Sequence, residues 1–115
     1  MRRALLTVGL SVALATASAD AGAEPASGDD LLWVCDHYGC DKEITLLTEV
    51  LIRDQRARVP YTAGFDPVCI GPEVTWPQVV TAVQQGLRAH PEALHQDVHG
   101  LVLAYLAAAF PCSPA

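Results

Sequence analysis

The sequence predicts an all-α fold, a small four-helix bundle stapled by disulfides. Three observations carry that expectation. Apolar residues recur at three- and four-residue intervals in several stretches, and no stretch alternates apolar and polar residues over a useful length. Capping residues and prolines mark where the helices begin and stop. Four cysteines in 115 residues supply the cross-links that so small a core needs.

Composition sets the first limits on function. At 51% hydrophobic residues the chain is not intrinsically disordered, and its length admits one domain. Thirteen acidic residues against seven basic ones give a net charge of −6. Binding to a phosphate backbone needs a basic surface, so no nucleic-acid partner is expected.

The N-terminus reads as an export signal. Arg2 and Arg3 precede an uncharged run from Ala4 to Ala15, and Ala17-Ser18-Ala19 is a small-x-small cleavage pattern. This is the layout of a cleaved signal peptide over residues 1–19, with Ala21-Gly22-Ala23 as a second candidate site. The apolar run is shorter than the roughly 20 residues a spanning helix needs, so no membrane insertion is expected once it is removed. A cut after Ala19 takes 19 residues and two positive charges from a chain of 115 residues and net charge −6, leaving 96 residues and −8. Residues 20–27 then read as a flexible leader and 28–115 as a single helical domain.

Cys35, Cys40, Cys69 and Cys112 all fall in that domain. An even count in a short exported chain points to two disulfides and a periplasmic location. Of the three connectivities, Cys35–Cys40 closes a very small loop and is the least favoured. Of the other two, Cys35–Cys112 with Cys40–Cys69 is preferred.

The first helix is expected over Asp29–His37, capped by Asp29 or Asp30 and interrupted at Tyr38-Gly39. The second runs from Asp41 to about Arg56, with Ile44, Leu47, Val50 and Leu51 on one face. Its acidic start and basic end suit the helix dipole. From Ala57 to Glu73 the periodicity stops, and Pro60, Gly64, Pro67, Gly71 and Pro72 mark a long connection of the kind that tends to be functional. Thr75 with Gln78 forms a capping-box pattern for the third helix, with Pro77 in its first turn. Trp76, Val79, Val80, Val83 and Leu87 are expected to share its buried stripe. The fourth helix is expected to open at Pro91 and run to about Phe110, apolar nearly all round and therefore deeply buried or packed on another chain.

Catalytic chemistry finds no foothold. There is no nucleophile elbow, no glycine-rich phosphate loop and no spare cysteine, so no enzyme, no catalytic residue and no cofactor is expected. His95 and His99, four apart on the expected fourth helix, would have ligand geometry, but Gln96 stands between them without a zincin-type glutamate and no metal is expected. Surface remains: an acidic domain suits a basic protein partner.

Cys69-Ile70, Pro72-x-Val74-Thr75, Gln78-x-Val80, Leu87-x-x-His90-Pro91-Glu92 and Ala107-x-Ala109-Phe110-Pro111-Cys112 occur in that order. Together they resemble the Rap/Tai family of periplasmic type VI secretion immunity proteins, over roughly residues 28–112. Gly28-Asp29-x-Leu31-Leu32-x-x-Cys35 and Cys40 extend the resemblance forward. Asp41-Lys42-Glu43 follows Cys40 where the family usually has Gly-Tyr-x-x-Gly, and the first two cysteines are close together. The resemblance implies a protein that works as a homodimer and plugs the substrate groove of a secreted peptidoglycan amidase toxin, by steric occlusion alone. On that reading the expected contact elements are the Arg58 to Pro67 loop, through Arg58, Tyr61, Phe65 and Asp66, and the exposed side of the third helix. A different class, an acid-stress or envelope chaperone of the HdeA kind, would share the small size, export, helices and disulfides, with the carboxylates and histidines as its titratable switch.

Overall fold

Ser27 starts the first helix. Its hydroxyl accepts from the Asp30 amide at 3.2 Å, and the Asp30 carboxylate reaches back to the amides of Ser27 and Ala26 at 3.2 and 3.0 Å. The cap is therefore Ser27, not Asp29 or Asp30, and Asp30 serves as the third residue of a capping box. The computed structural model describes residues 24–112. The expected signal peptide lies outside them, as do residues 113–115.

The described residues form four α-helices: α1 (Gly28–Tyr38), α2 (Asp41–Arg56), α3 (Trp76–Ala89) and α4 (Val98–Ala109). Two single 3-10 turns, Pro60–Thr62 and Pro91–Ala93, complete the regular structure, and no strand forms among the described residues. No helix here is long and apolar enough to cross a membrane. Like α3, α4 packs on each of the other three helices. Its Val98, Leu101, Val102, Leu103 and Leu106 are buried, joined by Leu31 from α1, Ile44 and Leu51 from α2, and Val79, Val80, Val83 and Leu87 from α3. The near-uniform apolarity of α4 reflects that burial, while its solvent side is made of alanines, Ala104, Ala108 and Ala109.

The cysteines pair as Cys35–Cys40 and Cys69–Cys112. This overturns the expected Cys35–Cys112 and Cys40–Cys69 connectivity. Gly39 takes φ 82°, a left-handed conformation open to glycine, and turns the chain between α1 and α2. That turn brings the Cα atoms of Cys35 and Cys40 to 4.4 Å, within disulfide range despite the short loop. The second bridge, with Cα atoms 4.7 Å apart, ties the long connection to the end of α4.

Two further expectations are corrected. α4 begins at Val98 rather than Pro91. Asp97 caps it by accepting from the amides of His99 and Gly100, at 3.0 and 3.3 Å. The preceding turn is held by the N-terminal segment, through Gly28 N–H to Gln96 O and Val98 N–H to Ala26 O, both 3.1 Å, so it cannot continue a helix. Trp76 lies in the first turn of α3 and is exposed, outside the buried stripe that Val79, Val80, Val83 and Leu87 form.

Candidate functional site

The connection between α2 and α3 starts from an unusual helix end. Val59 N–H bonds to Asp54 O at 3.0 Å and Arg58 N–H to Gln55 O at 3.1 Å, the paired bonds of a Schellman motif. That motif needs a left-handed residue, ordinarily glycine, and here Arg58 supplies it with φ 58°. Three anchors then fix the loop. Gln55 Nε2 donates to Asp66 O at 2.9 Å while its Oε1 accepts from Val68 N–H at 3.0 Å. Tyr61 Oη donates to Asp54 Oδ2 at 2.7 Å. Cys69 N–H bonds to Phe110 O at 2.9 Å, beside the bridge between Val68 and Pro111 and the Cys69–Cys112 disulfide. A loop whose regular structure is a single 3-10 turn is thus held from both ends and its middle, a preformed surface.

The electrostatics of the Tyr61–Asp54 pair follow from that geometry. The Tyr61 hydroxyl is pushed up to about 12, first by burial and then by its bond to Asp54. The Asp54 carboxyl is held below its usual value, chiefly by that same hydroxyl and also by Arg53, 3.3 Å away. The Tyr61 ring meets His99 edge-on at 6.1 Å, and His99 Nδ1 lies 3.4 Å from Asp97 Oδ2.

Arg58, Tyr61, Phe65 and Asp66 occupy different parts of this surface. Arg58 is exposed and borders two shallow grooves. One, about 270 Å³, runs past Val59, Ala63, Phe65 and Pro67. The other, about 460 Å³, lies against the Cys69–Cys112 disulfide. Phe65 is half-buried, and the absence of a side chain at Gly100 admits its ring against α4. Asp66 is exposed and gives its carbonyl to Gln55. Gln55 escaped the sequence reading because a glutamine in a helix's last turns looks like a solvated residue, and Arg56 reads only as part of the basic helix end that suits the dipole. Arg58 directly after a helix, where glycine is the usual choice, was the available signal.

The exposed side of α3 presents Trp76, Gln78, Thr81 and Gln85. His95 lies in the turn before α4 and His99 in its first turn, so the two do not share a helix as expected. Among the described residues no three His, Cys, Asp or Glu side chains are grouped to hold a metal ion.

A family model described as Rap1a immunity proteins matches residues 27–112, which takes in all four helices and both disulfides. No curated protein and no solved structure matches the chain.

Proposed function

The chain belongs to the Rap1a immunity proteins, and from that premise we propose that it protects its cell by binding a secreted peptidoglycan amidase toxin and occluding the toxin's substrate groove. The family match over residues 27–112 is the observation that carries this reading. The α2–α3 loop supports it physically. A surface already fixed by Gln55, Tyr61 and the Cys69–Cys112 disulfide loses little conformational entropy when it enters a cleft. Occlusion needs no chemistry from the protein itself. In this reading the toxin arrives by type VI secretion and the encounter takes place in the periplasm, where the two disulfides are at home. The acidic balance of the chain favours a basic cleft on the toxin. The protein acts as a homodimer, for which the alanine side of α4 offers a close-packing face.

The test pairs the protein with a type VI secreted peptidoglycan amidase. Cells exporting that hydrolase to their own periplasm should survive when this protein is exported with it, and the two should co-elute as a stoichiometric complex. Lysis despite co-export, with no complex formed, would overturn the reading.

A further inference from the structure

Among the described residues the acidic chain carries a local basic feature that no carboxylate pairs with. Of its arginines, Arg53 pairs with Asp54 and Arg88 with Asp36. Among the described residues neither Arg56 nor Arg58 has a carboxylate within 4.0 Å, although the chain holds 13 acidic residues. Both line the groove beside the Cys69–Cys112 disulfide, and among the described residues no acidic side chain lines it with them. Its remaining walls are largely apolar, from Ile52, Pro67, Val68 and Ile70.

Arg56 alone would be explained by the helix dipole, since it sits in the last turn of α2. Arg58 is not. It occupies the left-handed position of the Schellman motif, where glycine carries no steric penalty and arginine does. A strained residue held in place by its surroundings points to a use for its side chain.

We propose that Arg56 and Arg58 form a carboxylate-binding site that receives an aspartate or glutamate side chain of the toxin. This rests on the immunity reading above and names the chemistry of one contact within it. Guanidinium groups bind carboxylates bidentately, and the apolar walls around them exclude water and strengthen the pair. A dense anion such as phosphate is disfavoured. The amides of Arg58, Val59, Val68 and Cys69 are all consumed within the fold, and the carbonyl end of α2 opposes a dianion. On an acidic protein approaching a basic cleft, one contact of reversed polarity fixes orientation and rejects wrong partners.

The experiment measures toxin affinity by calorimetry for the wild type, Arg58→Gly, the double variant Arg56→Glu/Arg58→Glu, and Lys42→Glu as a charge control at the start of α2. Arg58→Gly should weaken binding about tenfold or more while its melting temperature holds or rises, because glycine relieves the backbone. The double variant should bind more weakly still, Lys42→Glu should bind as the wild type, and an arginine substituted for the contacting toxin carboxylate should recover affinity for the double variant. Wild-type affinity in Arg58→Gly would overturn this site while leaving the immunity reading standing. A wild type that does not bind the toxin would overturn both. An equal loss in Lys42→Glu would reduce the effect to overall charge, and a change in oligomeric state in place of toxin affinity would assign the groove to a second copy of this chain. Either result overturns the proposal. Tighter binding of inorganic phosphate than of acetate at the Arg56 and Arg58 side-chain NMR signals would overturn the choice of a carboxylate.

Discussion

Gly86 of α3 lies against the ring of Tyr105 of α4, so closely that a Cβ at Gly86 would fall 2.7 Å from both Cδ atoms of that ring. The same ring stacks on His90, with centroids 5.7 Å apart and planes 10° apart. Glycine inside a helix normally costs about 1 kcal/mol against alanine, so here close approach outweighs propensity. Gly86→Ala should destabilise by about 1–3 kcal/mol through overpacking. In a Tyr105→Ala background the sign should reverse, with Gly86→Ala then stabilising by about 1 kcal/mol. Thermal melts of the four proteins read the reversal directly.

Among the described residues two buried hydroxyls, Thr48 Oγ1 and Tyr105 Oη, have no hydrogen-bond partner. Burial also raises the Tyr105 pKa, and Glu92 adds to it. A buried polar atom without a partner costs about 1–3 kcal/mol, so removing it is neutral or favourable. Thr48→Val and Tyr105→Phe should each keep or raise the denaturation midpoint. A loss of about 1 kcal/mol or more in either would mean that the hydroxyl has a partner in solution.

The disulfides should differ in weight. Cys69–Cys112 closes a loop with a sequence separation of 43 and Cys35–Cys40 one of 5. The chain-entropy relation then gives about 4 kcal/mol for the first and about 2 kcal/mol for the second. Paired cysteine-to-serine variants, compared by urea unfolding, should rank in that order. The Cys69/Cys112 pair should also loosen the loop that Gln55 and Tyr61 hold.

The Tyr61–Asp54 bond makes stability depend on pH at both ends. The Tyr61 pKa is raised from 10.0 to about 12 on folding, so its contribution is complete below pH 10 and is lost as pH rises toward 12. The Asp54 pKa is lowered from 3.8, so its contribution is present above that value and is lost as pH falls through the lower folded value. Tyr61→Phe should reduce the alkaline dependence, leaving the part that Tyr105 contributes, and return the Asp54 titration, followed by carboxyl 13C NMR, toward the ordinary range. An unmoved Asp54 midpoint would show that the hydroxyl is not its main support.

What the sequence revealed divides along the range of the interactions. The bounds of α2 and the capped start of α3 were readable because their determinants are local: Thr75 and Gln78 lie three residues apart and cap each other. The start of α4 was not. Pro91 is a credible helix opener by itself, and the choice of Val98 depends on the segment at Ala26–Gly28, some seventy residues away, which takes up the intervening turn. The cysteine pairing failed for a related reason, since loop length argued against Cys35–Cys40 while the reversal at Gly39 makes it easy. The candidate site was located as a loop but not as a surface. The clamp by Gln55 joins residues 11 and 13 positions apart, and nothing in the identity of a glutamine announces it.

The central claim is that this chain silences a secreted cell-wall hydrolase by covering it. The most direct test is the digestion of purified peptidoglycan by a type VI secreted amidase, followed as this protein is titrated in. Cleavage should fall in proportion to added protein and cease at equimolar amounts. Cleavage that continues at its full rate with the protein in excess would contradict the account.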